Sequence, residues 1–119
     1  MYPLPKELGL ESLIGASIIQ VCVGPYDAQV HFSNGTTIQA EYKLEGIDEG
    51  KRSLWFLNEW KDSSGVMKVM DRVIVAFQRV SEWEFRIELS SNIALCFHTE
   101  DSQFESINIS YPNGALVVV

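Results

Sequence analysis

The residues of this sequence best suited to chemistry are two histidines, His31 and His98, and two cysteines, Cys22 and Cys96. One residue separates Cys96 from His98, so on a β-strand both side chains would point to the same face. Cysteine and histidine bind zinc, and His31, Cys96 and His98 would form a soft-metal site if their strands were adjacent. A Cys-x-His pair on a strand lacks the spacing of known zinc modules. We therefore expect no metal and no other cofactor, and these three residues are the candidates should a metal bind.

Signatures of other catalytic sites are missing from the sequence. It has no Gly-x-Ser-x-Gly elbow, no phosphate-binding glycine loop and no Gly-x-Gly-x-x-Gly. Three carboxylates, Glu82, Glu84 and Glu88, fall on the solvent side of one predicted strand. Exposed carboxylates are rarely catalytic, so we expect either a solubilising row or a guard against edge pairing, with Glu84 in a cross-strand pair with His98. The sequence thus favours a protein that is not an enzyme.

Charge and hydropathy restrict the partners. The chain has 119 residues, of which 46% are hydrophobic, and this is enough for one domain, 1–119, with its own core. Only nine basic residues face 16 acidic ones, giving a formal charge of −7, which argues against nucleic acid. No apolar run approaches the roughly 20 residues of a membrane span. The N-terminus lacks the apolar region of a secretory signal, and two cysteines are too few for a disulfide scaffold, so we expect a cytoplasmic location.

The elements that would position these side chains are read from an internal repeat. Apolar residues of the first segment, about 13–43, align at a nearly constant offset with those of a second segment, about 69–99. Leu13, Ile18 and Val30, for example, correspond to Val69, Ile74 and Ile87. Each copy reads as a leading strand followed by a hairpin, with polar and apolar residues alternating along the hairpin strands. A short helical turn is expected near 6–13.

The hairpin loops follow from the parity of the apolar positions. A three-residue loop, 33–35, places Val30 opposite Ile38 and keeps both apolar sets on one face. We predict a type I turn closed by a bulge, with Gly35 in the left-handed region. The second hairpin repeats the count through 90–92, with Asn92 in the glycine position, and the C-terminal hairpin, 106–119, does so through 112–114. Five consecutive apolar residues, 115–119, predict a last strand covered on both faces.

The connector between the copies, 44–66, is the candidate surface for a partner. Residues 53–61 fit either a helix or a strand, and the pattern leaves this open. Exposed tryptophan beside acidic residues is typical of protein-binding hot spots; the alternative is that the tryptophans cover an open end of the sheet. The candidate partner-binding residues are Trp55, Trp60, Glu45, Asp48 and Glu49. A homodimer through the C-terminal strand is a further expectation if that strand is uncovered.

The motifs of the repeat resemble those of a group of small bacterial proteins of unknown function. The recurring pattern is an apolar residue, Gly and an apolar pair, then a strand ending in Phe-x-x-Gly and a second strand ending in Glu. Here these are Leu13-Ile14-Gly15, Ile18-Ile19, Phe32-Ser33-Asn34-Gly35 and Ile38-Gln39-Ala40-Glu41. The second copy departs from the pattern, with Asp71 and Asn92 in the two glycine positions. The resemblance implies a fold but no activity; some bacterial proteins of this size are immunity proteins that neutralise a toxin.

Together these observations predict a mainly β protein, with α+β as the alternative. The expected architecture is a compact antiparallel sheet, forming a sandwich or a partly open barrel, made of two strand–hairpin repeats, a C-terminal hairpin and one or two short helices. The expected function is a non-catalytic cytoplasmic protein-interaction module, comparable to a toxin-neutralising immunity protein. The alternative is a small ligand- or metal-binding domain, or an enzyme, with its site between the repeats.

Overall fold

The computed structural model describes residues 3–6, 8–62, 64–100 and 106–119, and confirms a mainly β fold. Two short helical segments occur in this part of the chain, a 3-10 turn at Glu11–Leu13 and a single turn α1 at Val66–Val69. Neither could cross a membrane. The strands are β1 (Ile18–Val23), β2 (Ala28–Phe32), β3 (Thr37–Ala40), β4 (Lys43–Asp48), β5 (Lys51–Leu57), β6 (Ile74–Ser81), β7 (Glu84–Leu89), β8 (Ile93–His98), β9 (Ile107–Ser110) and β10 (Leu116–Val118).

The strands form two antiparallel sheets that pack as a sandwich-like fold. Sheet 1 has the order β1-β2-β3-β9-β10, and sheet 2 has the order β5-β4-β8-β7-β6. Alternating apolar residues of each sheet face the other sheet, as expected of a sandwich core. The side chains of Phe85 and Phe97 stack at the centre of sheet 2 with ring centroids 5.0 Å apart.

The two halves of the chain exchange hairpins. The first three strands, β1–β3, are completed by β9 and β10 from the C-terminal half, while β6–β8 are completed by β4 and β5 from the N-terminal half. The connector 44–66 therefore supplies most of a hairpin, β4–β5, that is equivalent to the C-terminal hairpin. The sequence left open whether 53–61 is a helix or a strand, and the structure shows that strand β5 runs to Leu57. Each sheet thus contains strands from both halves of the chain.

The predicted loop of the first hairpin is confirmed. Val30 pairs with Ile38, the N–H of Phe32 donates to the carbonyl of Thr36 (2.9 Å), and Gly35 has φ of 93°. A Cβ at this left-handed position would be strained.

The other two hairpins close through loops of the predicted length. In the C-terminal hairpin the N–H of Tyr111 donates to the carbonyl of Ala115 (2.9 Å), which is the same device as in the first hairpin. In the second hairpin Leu89 pairs with Ile93 and Asn92 has φ of 60°. Ser91 also has a positive φ, 69°, so this turn differs from the predicted type I turn with a single left-handed residue.

Two expectations about burial are wrong. The last strand is not covered on both faces, because β10 is the outermost strand of sheet 1 and only its inner face, at Val117, packs on the core. Leu116 and Val118 are 60% and 45% exposed. The alternation of Phe85 and Ile87 also predicts a core position for Trp83, but Trp83 lies in the turn between β6 and β7 and is only partly buried, because strand β7 begins one residue later.

Candidate functional site

The candidate metal ligands lie on different sheets. His31 is on the outer face of sheet 1, where its Nδ1 lies 3.0 Å from the hydroxyl of Thr37. Cys96 and His98 share the outer face of sheet 2. His31 is therefore remote from the pair that was expected to complete its site, and the described residues contain no group of three or more His, Cys, Asp or Glu side chains arranged to hold a metal.

His98 belongs to a charged network on the outer face of sheet 2. The network consists of Lys43 and Glu45 from β4, Arg52 from β5, Glu84 and Arg86 from β7, and His98 from β8. The predicted register of Glu84 opposite His98 is confirmed. The shorter contact of the imidazole is nevertheless to Glu45, whose Oε1 lies 2.7 Å from Nε2, whereas Oε1 of Glu84 lies 3.8 Å from Nδ1.

The two arginines of the network bind its carboxylates. Arg52 binds Oε1 of Glu45 at 3.1 Å and approaches Oε2 of Glu84 to 3.9 Å, while Arg86 lies 4.0 Å from the same Oε2. Glu84 is thus largely covered, and the expectation that it belongs to an exposed solubilising row is wrong. Arg86 from the same strand and Arg52 from β5 extend over the sheet and shield Glu84 from solvent, because their long stems cover the surface between strands.

Burial shifts the pKa values of His98 and Cys96 in opposite directions. Burial lowers the pKa of His98, opposed by the charges of Glu84 and Glu45 and assisted by that of Lys43. Burial raises the pKa of the Cys96 thiol, which is fully buried, against the lowering effect of Arg86. Nucleophilic cysteines are accessible and have a lowered pKa, so the Cys96–His98 pair does not have the properties of a catalytic dyad.

A cleft of about 310 Å³ opens on the other side of sheet 2, against the β4–β5 hairpin. Its walls are the inner side of that hairpin, Asp62 with the segment 64–69 that includes α1, and the first residue of β8. The residues that line it are Gly46, Ile47, Asp48, Lys51, Ser53, Trp55, Asp62, Ser64, Gly65, Lys68, Val69 and Ile93.

Trp55 forms the floor of this cleft and is only 2% exposed. Its indole N–H donates to Oγ of Ser53 at 3.1 Å. A Cβ added at Gly46 would lie 2.7 Å from the indole, and one added at Gly65 would lie 3.2 Å from it. Two glycines thus allow the ring to lie against the backbone of the hairpin and of the segment before α1. The floor is fixed, so the cleft is preformed.

Charged side chains of both signs stand at the cleft. Nζ of Lys68 from α1 lies 2.8 Å from Oδ2 of Asp48 on β4, and this hydrogen bond raises the pKa of Lys68. Asp62 accepts two hydrogen bonds from Ser64, one from its backbone N–H (2.9 Å) and one from its hydroxyl (3.0 Å). The Lys68–Asp48 pair joins the two walls, and both of its side chains remain accessible to solvent.

The five residues predicted to bind a partner are not one surface. Asp48 and Trp55 meet at the cleft, and Glu49 lies in the turn at the tip of the hairpin. Glu45 points to the opposite face of sheet 2, because an odd spacing along a strand separates it from Asp48. Trp60 lies beyond β5 and is 52% exposed. The sequence did not identify other residues of the cleft, notably Gly65 and Lys68, because they are not part of any recognisable motif.

The fold and the cleft define a two-sheet β protein with a preformed cleft lined by both polar and apolar residues. Compared with known proteins, the chain matches no family model, no curated protein and no solved structure. The resemblance to small bacterial proteins therefore stays a prediction.

Proposed function

We propose that the protein is a non-catalytic cytoplasmic interaction module that takes part of a second protein into the cleft above Trp55. The observation that carries the proposal is the preformed cleft itself, whose floor is fixed by Gly46 and Gly65. A volume of about 310 Å³ is at the lower end of ligand sites. It suits a few side chains of a partner inserted between the β4–β5 hairpin and α1.

The surroundings of the cleft favour a protein over a small polar molecule. Two large exposed apolar side chains belong to this part of the chain, although they do not line the cleft: Trp60 precedes the wall segment and is 52% exposed, and Met67 lies on α1 and is 79% exposed. Tryptophan and methionine are enriched in protein interfaces. The Lys68–Asp48 pair and the Ser64 hydroxyl offer donors and acceptors beside them, so the surface combines apolar anchors with a polar rim.

The state of the histidine and the cysteines supports a protein without catalytic activity. Cys96 is buried beneath Arg86 and its pKa is raised, and His98 is bound to Glu45 away from the cleft. His31 lies on the other sheet. Neither histidine lines the cleft, so neither could serve as an acid or base for a molecule bound there.

The formal charge of −7 supports a basic partner. Opposite net charges speed association and make it dependent on salt. A toxin-neutralising protein of the immunity type would have these properties, and the sequence resemblance to small bacterial proteins points to the same class.

The experiment uses the purified chain as bait for lysate of the source organism, at low and high salt, with variants of the cleft. Ser64→Trp places a large side chain at the rim, and Ser12→Trp, at the exposed 3-10 turn, is the matched control. A partner that binds in the cleft is retained by the native chain and by Ser12→Trp, and is lost with Ser64→Trp. Retention by both variants, or no retained protein at either salt, contradicts the proposal.

A charge exchange separates recognition from stability. Asp48→Lys and Lys68→Asp each remove the ion pair, whereas the double variant restores it with the signs reversed. If the partner forms ion pairs with these two residues, all three variants should bind it more weakly. The double variant should nevertheless unfold at a urea concentration close to that of the native chain. Full binding by the double variant would show that the pair is only structural.

A further inference from the structure

Four strands form the edges of the two sheets, and three of them are protected. Strand β6 contains two bulges, and Arg79 extends from it to bind two carbonyl oxygens of the N-terminal segment. Strand β5 begins with Lys51 and Arg52, and the carbonyl of Trp55 accepts the N–H of Lys61, which closes the far end of its edge. Strand β1 has a bulge after Ile18. Charges, bulges and covering segments are the devices by which proteins prevent pairing between edges.

Strand β10 has none of these devices. It consists of Leu116, Val117 and Val118, pairs with β9 without a register shift, and has no further strand beside it within the described part of the chain. Leu116 and Val118 expose apolar side chains on the outer face of sheet 1. The edge is therefore regular, uncharged and apolar, which is the combination that favours pairing with another strand.

The hydrogen-bonding pattern of the hairpin shows which groups of β10 have no partner among the described residues. Tyr111 and Ala115 form one bonded pair, and Val119 donates to the carbonyl of Ile107 at 2.8 Å. Bonded and non-bonded pairs alternate along an antiparallel ladder. Leu116 and Val118 consequently occupy non-bonded positions opposite β9, and their N–H and C=O groups point to the open edge.

The distribution of charge indicates what can approach that edge. None of the five strands of sheet 1 contains Asp, Glu, Lys or Arg, although the chain has 16 acidic and nine basic residues. The charged residues of the strands all lie in sheet 2. Two copies of an acidic protein repel each other over most of their surface. At the β10 edge they can meet without bringing charged strand residues together.

We propose that a second copy of this chain pairs with β10, in antiparallel register about a two-fold axis at Val117. Leu116 of each copy then lies opposite Val118 of the other. The N–H of each of these residues donates a hydrogen bond to the C=O of the residue opposite. The exposed side chains of the two residues form one apolar cluster on the outer face, as expected of an isologous contact. Sheet 1 becomes a continuous ten-stranded sheet. The cleft belongs to sheet 2, so the dimer does not depend on the proposed function.

The test is the molecular mass in solution of the full chain, measured by sedimentation equilibrium over a range of concentrations. The native chain is expected to dimerise. Leu116→Lys and Val118→Lys place a charge on the edge and should each weaken the dimer at least about tenfold, which corresponds to about 1.4 kcal/mol. Ser110→Lys is the matched control, because Ser110 lies directly opposite Leu116 on the same face but on β9.

Amide hydrogen exchange adds a readout specific to the strand. Exchange of the Leu116 and Val118 amides should slow as the concentration of the native chain rises, and should not do so in Val118→Lys. Thermal unfolding of each variant establishes that it is folded, and two lysine variants are used so that one folded variant suffices. A native chain that is monomeric at all concentrations overturns the proposal. So does a dimer weakened equally by Ser110→Lys, since the contact would then involve the face and not the edge.

Discussion

Nε2 of His98 lies 2.7 Å from Oε1 of Glu45, which places the imidazole between a carboxylate of β4 and a second carboxylate, Glu84, of β7. The three residues come from three adjacent strands of sheet 2. Arg52 and Arg86 supply the balancing positive charge. This arrangement connects the strands across the outer face and determines how stability should respond to pH.

We expect stability to fall as the pH drops below about 6.5, the pKa of an unperturbed histidine. Burial lowers the pKa of His98 in the folded state, so the unfolded state binds more protons between that lowered value and about 6.5. Stability contributed by the neutral imidazole is thus present above this window and lost within it as the pH decreases. Urea unfolding from pH 8 to pH 5 measures the slope. His98→Gln should flatten it, while His31→Gln, which leaves the network intact, should retain the contribution of His98. An unchanged slope in His98→Gln contradicts the assignment.

Glu45→Ala should destabilise the protein by about 1–3 kcal/mol, because the partly buried imidazole of His98 and the guanidinium of Arg52 both lose a hydrogen-bonding partner. Glu59→Ala is the control, since Glu59 is mostly exposed and its carboxylate pairs with Lys61 at 3.2 Å. Exposed pairs contribute about 0–1 kcal/mol. Urea unfolding at pH 7 compares the two variants. Equal losses would mean that the network is no more than a surface ion pair.

Gly46→Ala should cost about 1–3 kcal/mol, as expected when a methyl group is forced into a packed site. Its Cβ would lie 2.7 Å from the indole of Trp55. Gly24→Ala is the matched control, because the nearest atom to its Cβ would be at 3.7 Å and its backbone does not have a positive φ. The free energy of unfolding measures the loss, and the tryptophan emission spectrum reports displacement of the indole. Equal stability of the two variants would show that the indole can move aside.

Gly35→Ala should destabilise the first hairpin more than Gly114→Ala destabilises the C-terminal one. Both glycines have left-handed backbones, with φ of 93° and 87°, so both substitutions introduce strain. A Cβ at Gly35 would also lie 3.3 Å from Cβ of Pro112, whereas nothing lies within 4 Å of one at Gly114. Urea unfolding of the two variants checks the order, and the reverse order would contradict the packing of the two loops.

The hairpins could be predicted from the sequence because each depends on residues close together in the chain. The parity of Val30 and Ile38 about 33–35 determined the loop length, and the glycine at 35 identified its left-handed position. The cleft could not be predicted, because it requires Gly65 to lie against Trp55, and only tertiary packing makes that contact. The burial of Glu84 was missed for a related reason. Alternation shows which face a residue occupies, but Arg52, one of the two arginines that cover Glu84, comes from β5, which only the folded sheet brings near it.

The exchange of hairpins between the halves also determines the order in which the protein can fold during synthesis. Sheet 2 is completed once β8 has been made, because its other four strands precede it in the chain. Sheet 1 must wait for β9, and until residues 106–119 emerge, β3 is left with its edge unpaired. The nascent chain therefore passes through a stage in which one sheet is finished and the other is open. At this stage the open edge of β3 could pair with a strand of another chain. The finished sheet 2 provides the surface against which β9 and β10 then pack.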